Sequence, residues 1–214
     1  MDLTAAEIRV LGALIEKQRT TPDQYPLSLN AIRLACNQST NRDPVVDYDE
    51  PLIREALERL SRRRYVRLAS AGRATKYRHL LDEALGLSVA ELALLAVLML
   101  RGPQTPGELR ARTERMHRFA DQADLMQTLS GLIDRELVMR LDRRPGQKEE
   151  RYQQLLADTD ADADAPPPAP APPASSGTYV GSEPTKTPLE ARVGALEAEV
   201  RELRALVEEL RPGR

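Results

Sequence analysis

Two stretches of this chain end alike. Lys76-Tyr77-Arg78-His79-Leu80-Leu81 and Arg151-Tyr152-Gln153-Gln154-Leu155-Leu156 each set a basic residue and a tyrosine before two polar residues and a pair of leucines. Each also closes a run of segments in the same order. Thr4-Ala5-Ala6-Glu7 corresponds to Ser88-Val89-Ala90-Glu91, and both spell a capping box, in which a hydroxyl and a carboxylate three residues apart satisfy free backbone N–H groups. Ile8, Leu11 and Leu14 then match Leu92, Leu95 and Leu98. Ser28 opens a short helix as Thr105 does, and Ile53, Leu57 and Leu60 match Leu125, Leu129 and Leu132. Leucines alone coincide between helical segments by chance. Shared caps, stripes and closing motif in one order do not, so the chain holds one structural unit twice.

What the unit is can be read from residues 47–81. Asp49 is an N-cap, with Glu50 and Pro51 in the first turn, where acid suits the helix dipole and a missing N–H costs little. Ile53, Ala56, Leu57 and Leu60 give one apolar stripe at helical spacing. After Arg64 the period falls to two, through Tyr65 to Leu68. A turn at Ala71-Gly72-Arg73 and a returning run from Thr75 to Leu80 complete a two-stranded ribbon. Upstream, Thr4 caps a helix whose inner face is Ile8, Leu11, Leu14 and Ile15, and Ser28 caps a shorter one with Leu29, Ile32, Ala35 and Cys36 inward. Three helices and a hairpin in this order are a winged helix-turn-helix. The expected fold class is mainly α with small β-hairpins (α+β): two tandem winged helix-turn-helix domains, residues 1–82 and 83–157, joined near 82–87 with little slack.

That fold brings its third helix and hairpin up to a nucleic acid. Residues 49–80 hold nine Arg/Lys against four Asp/Glu, with most of the excess at the helix end and hairpin. Arg54, Arg59, Arg62 and Arg63 on the helix, with Arg73, Lys76 and Arg78 in the wing, are therefore the candidate phosphate contacts of double-stranded DNA. A plainer reading stands beside this one. Arginines on an amphipathic helix form a solvated face, and Asp49 and Glu50 occupy the turn that would meet base edges. On that reading the winged helices are an adaptor that holds protein partners. The charge balance is weak for a dedicated nucleic-acid binder: residues 1–156 carry 25 Arg/Lys and 22 Asp/Glu, residues 157–214 only 6 and 11. Arg143-Arg144-Pro145-Gly146-Gln147-Lys148 is a second basic tip.

After the second unit the composition changes. Residues 158–187 are acidic, then proline-rich, with almost no large apolar side chain, and are expected to be a disordered linker. Residues 188–212 follow as a helix in which Leu189, Leu196, Leu203 and Leu210 occupy one heptad position and Val193, Val200 and Val207 the other. Valine at a with leucine at d favours a parallel two-stranded coil. In that register Arg192 faces Glu197 of a second copy and Glu199 faces Arg204, so a homodimer through this segment is expected. The alternative is an amphipathic helix packed on its own body.

Nothing in the chain spells an enzyme. His79 and His117 stand apart without Cys/Asp neighbours at ligand spacing, which makes them surface residues and leaves no metal site. Cys36, on the apolar side of a short helix, reads as core, and as the one cysteine it suits a reducing, cytoplasmic setting. Neither GxxxxGK[ST] nor GxGxxG occurs, so no phosphate-cradling loop and no cofactor is expected. No apolar run reaches eighteen residues, so no membrane-spanning segment is expected.

The run RVLGALIEKQRTTPDQYPLSLNAIRLACNQSTNRDPV, residues 9–45, resembles the signature of the uncharacterised bacterial YceH family. RGPQTPGELRAR and PGQKEERY are similar to that family's second half, so the resemblance covers roughly residues 3–156. It implies tandem winged helices and brings no catalytic residues to carry over. One departure is Asp142, before Arg143-Arg144, where the family more often has a proline; it sets an acid beside the second basic tip.

Overall fold

A computed structural model describes residues 2–71, 74–143 and 149–157 of the chain. Arg73, the tip 144–148, the linker and all seven heptad residues, Leu189 to Leu210, lie outside the described residues.

Helix α1 (Ala5–Thr20) starts where the capping box puts it. Thr4 N donates to Glu7 Oε2 at 2.8 Å, and Glu7 N donates to Thr4 Oγ1 at 3.3 Å. A single 3₁₀ turn leads to β1 (Leu27–Ser28) and α2 (Leu29–Cys36), capped by Ser28. A long loop reaches α3 (Glu50–Arg62), capped by Asp49, and then β2 (Val66–Ala71) and β3 (Ala74–His79). The short α4 (Leu81–Leu85) ends on Gly86, whose φ of 59° lies in the left-handed region open to glycine. The order then recurs: α5 (Val89–Arg101), α6 (Pro106–Thr113), α7 (Gln122–Asp134), β4 (Val138–Leu141) and β5 (Arg151–Gln154). Capping boxes at Ser88/Glu91 and Thr105/Glu108 open α5 and α6. The class is α+β, helices with two small antiparallel sheets.

One expected detail is corrected. The first hairpin is not a free two-stranded ribbon, because β1 adds to it in the order β1-β3-β2, with Leu27 opposite Tyr77 and Ser28 opposite Lys76. The second half repeats this pairing in miniature. Gln104 and Tyr152 exchange both backbone hydrogen bonds, at 3.0 and 2.8 Å. The tyrosine of each closing motif is thus where the chain before the second helix is stitched to the hairpin.

The halves meet through α1 and α5. Residues 6–15 are buried without a break, as are 92–100. Each helix has its own half on one side and the other half on the opposite side, so no stripe is left for water. Gly12 makes the approach possible: a Cβ there would sit 2.9 Å from Leu100 Cγ and 3.0 Å from Met99 Cβ. The buried side chains form one continuous cluster, from Leu3 to Leu156.

The loop between α2 and α3 is pinned inside the same junction. Arg42 is buried and places Nη2 2.6 Å from Glu16 Oε2, while its Nε donates to the Ala35 carbonyl at 3.0 Å. Asp43 N donates to the Leu100 carbonyl at 2.9 Å, and Arg101 donates to Asn41 Oδ1. No helix among the described residues is long and apolar enough to cross a membrane.

Candidate nucleic-acid interface

Helix α3 buries Ile53, Ala56, Leu57 and Leu60 and turns its charged residues outward. Those are Glu50, Glu55 and Glu58 against Arg54, Arg59 and Arg62, so the outer surface is neutral in sum. Two of the arginines are already engaged. Arg54 lies 2.6 Å from Glu50 and Arg59 2.5 Å from Glu55, both one helical turn apart. Such exposed pairs contribute only ~0.3–0.5 kcal/mol each and open readily. The neutrality of the face matters more than the pairs.

Positive charge gathers beyond the helix. Residues 62–80 contain seven Arg/Lys and no Asp/Glu. Arg62 ends α3 and is exposed, its side chain without a hydrogen bond or ion pair among the described residues. Arg63, the C-cap residue, donates to the Asp2 carbonyl at 3.0 Å, and Arg64 turns the chain out of the helix at φ 61°. In the hairpin Arg67 stands opposite Arg78, and Lys76 is opposite Ala69. Strand alternation puts all three cations on one face, with Val66 and His79 on the other. Like charges facing across a ladder repel, and Arg78 relieves this by reaching Glu83 of α4. The first half therefore brings Arg62, Lys76 and Arg78 into one basic stretch and adds Arg64 and Arg67, which sequence reasoning did not single out. Arg67 had a signal, the two-residue period shared with Lys76 and Arg78. Arg54 and Arg59 stand on the neutral face instead.

Among its described residues the second half carries no equivalent. Helix α7 opens on Asp121 and Asp124, and Arg140 and Arg143 share one carboxylate, Glu150, at 3.4 and 3.6 Å. A different basic surface lies between the halves. Lys17, Arg101, Arg112 and Arg115 line an open cleft of about 360 Å³, with Glu16 its one carboxylate. Lys17, Arg101 and Arg112 occupy last turns of helices, where cations suit the dipole. That placement is visible in sequence, whereas their convergence is not.

His79 overturns the surface assignment made for it, while His117 is half-buried edge-on against Phe119, with ring centroids 4.7 Å apart. His79 is 1% exposed, because strand alternation turns it inward, opposite Val66 and beside Tyr25. Its Nδ1 accepts from Leu81 N at 3.4 Å, so Nε2 carries the proton toward Gln18 Oε1 at 2.6 Å. Burial pushes its pKa down to about 4, so the ring is neutral. Burial likewise pushes the Cys36 thiol up to about 12, which suppresses the thiolate. The described residues contain no group of three or more His, Cys, Asp or Glu side chains able to hold a metal.

With this geometry in hand, the chain can be set beside known proteins. Residues 3–147 match the family described as "Protein of unknown function, DUF480". A UPF0502 protein of Geobacter sulfurreducens is 53% identical over 158 residues, covering 72% of each chain. The UPF0502 protein YceH of Salmonella paratyphi B is 49% identical over 163 residues, 72% of this chain and 76% of its own. A UPF0502 protein of Pseudomonas savastanoi pv. phaseolicola is 43% identical over 197 residues, 92% of this chain and 90% of its own, so that match runs well into the residues after 157. The repeated helices and the basic first hairpin fall within residues 3–147, and the chain belongs to the DUF480 family, whose relatives here carry the name UPF0502 and include YceH.

Proposed function

We propose that this chain is a DNA-binding, regulatory protein without enzymatic activity, built from two tandem winged helix-turn-helix domains, residues 1–82 and 83–157. The order helix, short strand, two helices, hairpin supports the fold, as does the matching of β1 to β3 and of Gln104 to Tyr152. One observation carries the function: residues 62–80 hold seven cations and no acid, and the six described ones lie at the end of the third helix and along its hairpin. Contacts there would be to phosphates, which position a protein on a duplex without reading sequence. A coiled coil at residues 188–212 would join two copies and add avidity through a long tether.

The second reading is a protein-binding adaptor, and a specific observation favours it. The outer face of α3 is neutral, and Leu68 in the hairpin is 61% exposed. The two readings separate in a salt-titrated duplex-binding assay. The side chains of Arg62, Arg67 and Lys76 have no hydrogen bond or ion pair among the described residues, so changing them together to Ala should leave the melting temperature in place. If all three meet phosphates, the log–log salt slope falls by roughly 2.7 and affinity drops alike on every sequence. Absence of duplex affinity at low salt, or an unchanged slope in the variant, would support the adaptor.

A further inference from the structure

Two arginines are buried among the described residues, Arg9 and Arg42, and they differ in one respect. Arg42 has the carboxylate of Glu16. Arg9 has no carboxylate within ion-pair distance among the described residues. Its Nη2 donates to the Pro44 carbonyl at 2.6 Å, and its buried Nη1 has no hydrogen-bond partner. Arg9 is 4% exposed, and burial lowers its pKa from the ordinary value, with nearby Tyr48 and Asp43 offsetting only part of that cost. A buried donor on a charged group is costly to leave unmet.

Arg9 lines a cavity of about 210 Å³ between the two halves of the fold. The cavity runs along the first turns of α1, touching Ala5, the first residue of that helix, so it also lies beside the positive end of the helix dipole. Both features favour an anion. Much of the remaining wall is apolar, including Leu98 and Met99 from α5. Asp43, exposed at the rim, is the one carboxylate of the lining and opposes a dianion more strongly than a monoanion. In size the space exceeds the roughly 150 Å³ apolar cavity that admits benzene. It falls short of the ~300 Å³ at which drug-sized sites begin.

We propose that this cavity is a binding site for a small monocarboxylate with a compact apolar body, its carboxylate toward the Arg9 guanidinium and its body against Leu98 and Met99. The site is independent of nucleic-acid binding, and its test reads ligand binding alone. Titrating the full chain with sodium benzoate, by calorimetry and by chemical-shift changes, should give saturable one-to-one binding and a raised melting temperature. Benzamide, the neutral molecule of the same shape, should bind at least tenfold more weakly, and so should the dianion terephthalate. Arg9→Gln should lose the benzoate response by tenfold or more. Should Arg9→Gln fold poorly, Ala5→Leu keeps Arg9 and narrows the exposed mouth, and it should block benzoate in a normally folded protein. Benzoate and benzamide binding equally, full binding in Ala5→Leu, or no saturable response up to roughly 10 mM would overturn the proposal.

Discussion

Arg42 and Glu16 meet at 2.6 Å across 26 residues of sequence, with the arginine side chain wholly out of solvent and the glutamate partly buried, 3.7 Å from Lys17 as well. A buried pair of this kind stabilises little against an apolar replacement, but removing one partner strands the other. Arg42→Met alone should therefore cost about 3–5 kcal/mol in urea unfolding. The double change Arg42→Met with Glu16→Leu should recover most of that loss. If the double variant were no more stable than the single one, the strain would lie in the lost bonds to Ala35 and Gln38 rather than in an orphaned charge.

Gly12 offers a test of sign. On propensity alone, Gly→Ala inside a helix adds about 1 kcal/mol of stability. Here the new methyl would lie 2.9 Å from Leu100 Cγ, so α1 must move off α5 or the leucine must leave its rotamer. Gly12→Ala should lower the melting temperature, and Gly12→Val should lower it further, with overpacking costing about 1–3 kcal/mol. A rise in melting temperature for Gly12→Ala would show that the junction has slack.

His79 makes stability depend on pH. Its folded pKa of about 4 lies below the ordinary 6.5, so between those values the unfolded chain binds a proton that the folded chain refuses. The stabilisation is complete above pH 6.5 and is lost as pH falls toward 4, amounting to about 2 kcal/mol by pH 5. Glu91, held below the ordinary carboxylate range by its bonds to Ser88 and by Arg135, acts in the same direction at lower pH. Denaturation from pH 7 to 5 should be compared with His79→Gln, and the difference between the two profiles isolates the histidine. Parallel profiles would mean that His79 titrates normally.

The heptad at residues 189–210 leads to a prediction about assembly. The full chain should run as a dimer in light scattering, and a chain cut after residue 157 should be a folded monomer with unchanged helicity per residue. A truncated body that stayed dimeric at micromolar concentration would move the interface onto the body.

How much of this was legible in the sequence follows the range of the interactions involved. The caps at Thr4, Ser28, Asp49, Ser88 and Thr105 were readable because a cap is settled within three residues. The repeated order was readable because stripes and caps recur together. Strand β1 was not, since Leu27 and Ser28 are too few to show a period and their partners, Tyr77 and Lys76, are far along the chain. The burial of Arg9, Arg42 and His79 was hidden for the same reason: each is polar in sequence and enclosed only by packing between distant elements. In the candidate interface, Arg62, Lys76 and Arg78 followed from charge and period. The engagement of Arg54 and Arg59 was also written in the chain, as Glu50/Arg54 and Glu55/Arg59 four residues apart, but the neutral face became plain only once the buried stripe was fixed.

Leu3 N donates to the Leu156 carbonyl at 3.1 Å, so the backbone of the body leaves beside the point where it enters. Mechanically, the body is a loop of chain closed by one peptide-to-peptide clasp. Any pull transmitted from residues beyond 157 arrives first at that clasp and at the start of α1, not at the basic hairpin. Asp2, whose carbonyl accepts from Arg63, joins the start of α1 to the end of α3, so strain at the clasp reaches the base of the basic hairpin through that bond.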